Sequence, residues 1–185
     1  MDPRPTPDAR RFRDAMGLLA TGIAVIIGRA GDEVQAMTVN AVSSLSLEPM
    51  LALFCPGKRT KFAQRLTAMT DFTINLLRHD QQALSSYFAG SWREPAQPAF
   101  RFVPWRAAPR LEGSLASLDC EREQVVEAGD HWLVVGRVRD LHIGIPPHRP
   151  LLFFQGRYHE VDFAPGTPAP DLTAPDEPAQ VFYGP

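Results

Sequence analysis

The chain has few of the features that mark membrane, nucleic-acid-binding or disulfide-stabilised proteins. No run approaches the roughly 18 apolar residues of a spanning helix, and residues 1–9 carry no apolar signal-peptide segment. The formal net charge is -2, whereas a protein that binds a phosphate backbone needs a concentrated basic surface. The two cysteines, Cys55 and Cys120, form no CxxC pair and indicate buried, reduced thiols. We therefore expect a cytoplasmic protein with no membrane or nucleic-acid partner.

Several catalytic signatures are also missing. No G-x-G-x-x-G follows a first strand, and Ala52 stands where a P-loop ending at Gly57-Lys58 would need glycine. No G-x-S-x-G nucleophile elbow occurs. The histidines are isolated: His142 and His148 are separated by two prolines and lack helical i,i+4 spacing, so no metal site is expected. These absences argue against a Rossmann NAD site, a P-loop and hydrolase chemistry.

The periodicity predicts a mainly β domain with a few short peripheral helices. A helix is expected to start at Thr6-Pro7-Asp8 and to carry its apolar face to Leu19. Two more are expected over residues 60–68 and 80–88, the latter closed by Gly90. Strands are expected over residues 22–28, 34–40, 50–54, 71–77, 114–127, 131–142, 151–155 and 158–163. Many short strands without βαβ alternation favour a closed barrel over a doubly wound sheet.

The domain organisation follows from composition. We expect an N-terminal arm over residues 1–10, a single domain over 11–163 and a tail over 164–185. The tail has six prolines and few apolar residues. It is either disordered, which is the default for such composition, or lies along a neighbouring subunit through Val181-Phe182-Tyr183.

Hydroxyl and amide side chains are concentrated in residues 37–49, on a segment that otherwise has an extended pattern. Thr38, Asn40, Ser43 and Ser44, with nearby backbone N–H groups, suit a ligand that needs many hydrogen bonds, such as a phosphorylated polyol. The alternative is a Ser/Thr-rich turn between two strands.

Motifs before and after this segment change the balance between the ligand-binding and the turn interpretations. They are Ala-Thr-Gly at 20–22, Phe-Cys-Pro-Gly-Lys-Arg-Thr at 54–60, Phe-Ala-Gly at 88–90, Pro-x-Leu-x-Gly at 109–113, Gly-Asp-His at 129–131 and Gly-Arg-Tyr at 156–158. In that order, and over residues 12–161, the sequence resembles the flavin reductase-like family. These are short-chain NAD(P)H:flavin oxidoreductases built on an FMN-binding split β-barrel.

The resemblance implies a set of site residues. Lys58, Arg59 and Thr60 would hold the FMN phosphate, and His131 would act on the nicotinamide side of the flavin as the catalytic candidate. The remaining cofactor-binding candidates, which would surround the flavin ring and its ribityl chain or form the pocket rim, are Thr38, Val39, Asn40, Ser43, Ser44, Cys55, Phe88, Ala89, Gly90, Arg157 and Tyr158.

Each candidate also has a purely structural interpretation. Lys58 and Arg59 suit a solvated turn, Phe88-Ala89-Gly90 suits a helix C-terminus with a core Phe, His131 suits a hairpin surface, and Arg157-Tyr158 suits the start of a last strand. Two departures are visible, since Ala41 stands where family members often have Ser and Met50 where they often have Pro. Both leave the backbone amides in place.

The resemblance implies a homodimer that passes hydride from NADH or NADPH to FMN or FAD and supplies reduced flavin to a partner monooxygenase. One alternative keeps the flavin as a prosthetic group for another reduction, or merely stores it. Another is a non-catalytic split-barrel module with an empty site.

Overall fold

The computed structural model describes residues 8–147 and 149–161, and the fold is mainly β with a few short helices. The helices are α1 Ala9–Met16, α2 Lys61–Arg65 and α3 Gln82–Phe88, with 3-10 turns at Leu66–Ala68 and His79–Gln81. The strands are β1 Thr21–Gly22, β2 Ala24–Ala30, β3 Glu33–Val39, β4 Val42–Leu47, β5 Met50–Phe54, β6 Asp71–Leu76, β7 Phe102–Val103, β8 Arg110–Leu111, β9 Ala116–Ala128, β10 His131–Ile143, β11 Leu152–Phe154 and β12 Arg157–His159. None of the described helices has the length and apolarity to cross a bilayer.

Between residues 22 and 155 the expected helices and strands lie within about two residues of the observed bounds. The short strands β1, β7 and β8 were not expected, and β4 lies in the segment that was expected only to be extended. The first helix and the last strand also differ from the expectation. Helix α1 begins after Asp8, whose carboxylate accepts a hydrogen bond of 2.8 Å from the Arg11 backbone N–H, so the cap lies two residues beyond the expected Thr6. An aspartate carboxylate caps a helix as well as a hydroxyl does. The last strand ends at His159 within the described residues, earlier than expected. Residues 1–7, with Thr6, and the tail 164–185, with Val181-Phe182-Tyr183, lie outside the described part.

One seven-stranded antiparallel sheet, in the order β3-β2-β6-β9-β10-β5-β4, forms the body of the domain. Its two edge strands, β3 and β4, are consecutive in the chain and are joined by Asn40-Ala41. Two connecting residues span about 11 Å at most, so the sheet must roll until its edges approach each other at this point. Among the described strands no ladder joins β3 to β4, so the expected closure of the barrel is not made by strand pairing.

The core lies on both sides of β2. Ala24 and Ile26 face the inside of the rolled sheet with Phe54 and Phe72, while Val25 and Ile27 face a second cluster under α3. Successive side chains of a strand point to opposite faces, so a strand covered on both sides reads as a continuous apolar run. This explains why apolar and polar residues do not alternate along the buried part of β2.

A buried amide fixes the 98–113 segment to the sheet. The Asn75 side chain donates to the Val25 carbonyl at 3.0 Å and accepts from the Leu111 N–H and the Ser117 hydroxyl, each at 2.9 Å. Buried polar groups need such partners, because each unmet one costs about 1–3 kcal/mol. The segment is therefore held in place by hydrogen bonds as well as by apolar packing.

Candidate functional site

A cavity of about 720 Å³ opens between α1 and the rolled sheet, and we call it the α1 cavity. Four parts of the chain meet there: α1 with the residues after it, the β3–β4 connection, the end of β5 and the β11–β12 turn. The apolar wall is contributed by Phe12, Met16, Leu19, Leu53 and Phe153. Its volume lies within the roughly 300–1,000 Å³ of small-molecule sites.

Polar groups from the predicted site stand at the wall of this cavity. Asn40, Ser43 and Cys55 all line it. The Asn40 amide nitrogen lies 3.4 Å from the Thr21 hydroxyl oxygen, and the Cys55 N–H donates to the Ala41 carbonyl at 3.0 Å. The second bond ties the β3–β4 connection to the end of β5, so the polar groups are placed by backbone structure.

A second cavity of about 530 Å³, the α3 cavity, takes up another part of the predicted set. Strand β3 contributes Thr38 to the α3 cavity, and the chain then reaches the α1 cavity at Asn40. The segment after β5 runs the other way, from Cys55 at the α1 cavity to Thr60 at the α3 cavity. The two cavities therefore flank the same two chain segments. The predicted residues that line the α3 cavity are Thr38, Thr60, Phe88, Ala89 and Gly90.

Hydrogen bonds connect the α3 cavity to the last strand. The Thr38 hydroxyl donates to the Ser85 carbonyl at 2.7 Å, and the Ser85 hydroxyl lies 3.0 Å from the Tyr158 hydroxyl. Tyr158 also packs edge-on against Phe153 with ring centroids 5.5 Å apart. Tyr158 thus braces α3 against β12, whereas Arg157 is exposed.

The basic segment and the Gly-Asp-His turn lie side by side, although they are far apart in sequence. Gly57 and His131 form an isolated β-bridge, and the Lys58 N–H donates to the Asp130 carbonyl at 3.0 Å. The Trp132 N–H donates to the Pro56 carbonyl, also at 3.0 Å. Two separate motifs are therefore joined through backbone hydrogen bonds.

The side chains of the predicted phosphate-binding residues are differently engaged. The Lys58 ammonium pairs with the Glu127 carboxylate and lies 5.0 Å from the Trp132 ring centroid. Thr60 caps α2, donating its hydroxyl hydrogen to the Gly57 carbonyl at 2.8 Å and accepting from the Ala63 N–H at 3.1 Å. Arg59 is exposed. Of the three residues, Lys58 and Thr60 already have side-chain partners within the protein.

His131 stands at the start of β10 with half of its side chain exposed. Its Nδ1 lies 2.8 Å from an Asp130 carboxylate oxygen, and this hydrogen bond lowers the pKa of the Asp130 carboxyl. In the neutral imidazole that donates Nδ1–H to this carboxylate, Nε2 is the acceptor nitrogen.

Two further candidates lie away from these contacts. The Val39 side chain is buried in the core, so only its backbone can meet a ligand. Ser44 lies with Ser43 along an apolar groove of about 360 Å³ beside β4 and β5. No cluster of metal-ligating side chains occurs within residues 8–147 and 149–161.

The sequence reasoning missed the contribution of α1 to the site. Phe12 and Met16 line the α1 cavity while 63% and 48% exposed, and Leu19 joins them at 57%. Their spacing of four and three residues predicts an amphipathic helix packed on the domain by its apolar face. Apolar side chains at such exposure over a cavity mark a ligand site or a subunit interface.

The residues present fit a flavin. An isoalloxazine ring is a flat heteroaromatic system, which suits an apolar wall such as that formed by Phe12 and Phe153. Its polar edge and ribityl hydroxyls need hydrogen-bonding partners, which Asn40 and Ser43 offer in the same cavity. The fold and the site together define a β-sheet protein with a flavin-sized cavity, whose lining residue Cys55 is soon followed along the chain by the basic pair Lys58-Arg59.

Comparison with known proteins leads to the same class. The family described as flavin reductase like domain matches residues 16–162. The reductase subunit HsaB of a flavin-dependent monooxygenase from Rhodococcus jostii is 35% identical, over 88% of this chain and 83% of the relative. An NADH-dependent flavin reductase from Rhodococcus sp is also 35% identical, over 88% of this chain and 90% of the relative. The solved structure of flavin reductase PheA2 matches with a TM-score of 0.79 and 37% identity, covering 85% of this chain and 100% of that one.

The chain belongs to the flavin reductase-like family. The resemblance that the ordered motifs suggested is thereby confirmed.

Proposed function

We propose that the protein is an NAD(P)H:flavin oxidoreductase of the EC 1.5.1 type, which reduces FMN or FAD and supplies the product to a partner flavin-dependent monooxygenase. The observation that carries this proposal is the apolar α1 cavity and its relation to the α3 cavity. The segments 38–40 and 55–60 each contribute residues to both cavities, and the second segment contains the basic pair Lys58-Arg59. Similar proteins are named as NADH-dependent reductases of FMN and of FAD, which supports NADH as the donor and either flavin as the acceptor.

In this proposal the residues of the chain bind and orient the reactants. Phe12 and Phe153 hold the ring in the α1 cavity and exclude water from it, while Asn40 and Ser43 meet its polar groups. A bound flavin supplies the hydride-accepting chemistry. His131 positions the nicotinamide, and Lys58 and Arg59 meet the flavin phosphate.

The proposal includes a split barrel, a homodimer and a cytoplasmic location. The two-residue link between the sheet edges β3 and β4 supports the split barrel. Exposed apolar side chains support the dimer, since a second subunit could cover them: Phe12 and Met16 on α1, and Leu47, Met50 and Leu141 on strands β4, β5 and β10. Both cysteines are free thiols, which supports a reducing compartment.

Steady-state NADH oxidation with and without added FMN tests the function. A flavin reductase that turns over free flavin consumes NADH in proportion to added FMN at saturating NADH and low flavin. A protein that keeps its flavin as a prosthetic group would bind flavin but show no such dependence, and a non-catalytic module would bind none. Sedimentation with FMN at micromolar concentration tests the dimer, which a monomer that binds FMN tightly would contradict.

A further inference from the structure

The Lys58 side chain is held on two sides by the β9–β10 hairpin. Its ammonium pairs with the Glu127 carboxylate, and the Trp132 ring lies beneath it. Glu127 and Trp132 are directly opposed residues of the two strands. The Lys58 side chain is 26% exposed and that of Glu127 is 70% exposed, so the cation is mostly covered while the carboxylate is open to solvent.

We propose that Glu127 competes with the phosphate of a bound flavin for Lys58, and thereby weakens the binding of FMN relative to riboflavin and speeds its release. This inference rests on the proposed function, in which Lys58 meets the flavin phosphate. It assigns Glu127 as a residue that sets flavin specificity and exchange.

The competition follows from charge. A phosphate monoester carries about -1.5 to -2 charges at pH 7. A glutamate carboxyl is ionised at that pH, and the hydrogen bond from Lys58 lowers the pKa of Glu127 further. A phosphate that reaches Lys58 must therefore either displace the carboxylate or sit beside it against like-charge repulsion. Riboflavin has no phosphate, so its binding requires neither displacement of Glu127 nor repulsion by it.

Glu127 is not needed to place Lys58. The Lys58 N–H is fixed to the Asp130 carbonyl at 3.0 Å, and the side chain also rests on Trp132. Removing the carboxylate leaves both contacts in position. A weak phosphate contact also suits a protein that must hand its flavin to another enzyme, because tighter binding acts mostly through a slower dissociation rate.

The test compares Glu127→Gln with the wild type, using FMN and riboflavin titrations at low ionic strength and stopped-flow dissociation. We expect FMN to bind about two- to fivefold tighter and to leave correspondingly more slowly, the range that an exposed ion pair is worth. Riboflavin affinity should not change, and added salt should reduce the FMN effect. In a Lys58→Ala background the gain from Glu127→Gln should be smaller.

A matched control is Glu123→Gln, which removes another exposed carboxylate of the same hairpin, paired with Arg137 at 2.9 Å. This change should alter neither flavin affinity. Unchanged or weaker FMN binding in Glu127→Gln overturns the inference, and so does an equal gain for both flavins. If Lys58→Ala leaves the ratio of FMN to riboflavin affinity unchanged, the inference falls while the reductase function stands. A wild type that binds neither flavin and does not oxidise NADH defeats the proposed function itself.

Discussion

The ring of Phe72 occupies the space that a side chain on Gly136 would need. A β-carbon built on Gly136 would lie 2.4 Å from Phe72 Cζ and 2.9 Å from the Cys120 β-carbon. Phe72 in turn packs edge-on against Phe54, with ring centroids 5.0 Å apart. The absence of a side chain on the middle of β10 therefore lets these two rings fill the inside of the rolled sheet.

Gly136→Ala should lower the free energy of unfolding by about 1–3 kcal/mol, the usual cost of overpacking a filled core. Urea denaturation measures this loss. Gly22→Ala is the control, because a β-carbon on Gly22 meets no heavy atom within 4 Å. Equal stability of the two variants would mean that Phe72 moves aside without cost.

Phe12→Ala should weaken FMN and riboflavin to the same extent, because the ring lines the α1 cavity, whose lining includes neither Lys58 nor Arg59. We expect a loss of up to about tenfold in affinity, corresponding to an aromatic contact of about 0.5–1.5 kcal/mol. Leu18→Ala is a matched control, since Leu18 and Phe12 are both 63% exposed and only Phe12 lines the cavity. Flavin titration of both variants decides whether α1 belongs to the site.

Flavin should protect Cys55, and not Cys120, from alkylation. Cys55 is half-buried and lines the α1 cavity, whereas Cys120 is fully buried in the core. Peptide mass spectrometry after iodoacetamide treatment should show slower modification of Cys55 when FMN is present. Cys120 should react only after unfolding, and FMN-independent labelling of Cys55 would place the flavin elsewhere.

The same buried thiol predicts a loss of stability at alkaline pH. Burial raises the pKa of Cys120 to about 12, whereas an unfolded thiol ionises near 8.5. Because the folded pKa is the higher one, the stabilising contribution is complete below about pH 8 and is lost as the pH rises towards 12. Cys120→Ala should flatten this part of the stability profile, although it also removes core contacts. A profile that falls equally in the variant would assign the loss to other groups.

His131→Ala should leave flavin affinity nearly unchanged and slow flavin reduction by NADH about 10- to 100-fold, the scale expected when a reacting geometry loosens. Anaerobic stopped-flow measures this rate. His142→Ala is the control, because His142 is an exposed histidine at the other end of the same strand. A normal rate and nicotinamide affinity in His131→Ala would mean that this histidine only occupies the hairpin surface.

Replacing Lys58 and Arg59 together by Ala should weaken FMN about tenfold or more while sparing riboflavin, because only FMN carries the phosphate. Because Lys58 is already paired with Glu127, we expect exposed Arg59 to contribute the larger share. Binding titrations of the single and double variants measure how much each of the two residues contributes to FMN affinity. Equal losses for the two flavins would show that these residues support the fold of the loop.

Local pattern in the sequence determined most of the secondary structure. The turn at Gly129-Asp130 and the β-branched runs around it predicted the β9–β10 hairpin, because turn chemistry and period-two alternation act over a few residues. Thr60 at the start of α2 and Gly90, with φ of 73°, after α3 were also readable from local chemistry. The ordered motifs were enough to identify the family, which the comparisons confirm.

Only the tertiary structure decided what these residues contact. It placed the Gly57 loop beside His131 at the end of the β5–β10 pairing, paired Lys58 with Glu127, and placed α1 over a cavity instead of against the core. These relationships depend on strand order and on how far the sheet rolls, which are set by the packing of residues distant in sequence. Sequence pattern reports the local preference of each segment, and it carries no direct record of which distant segment will lie opposite.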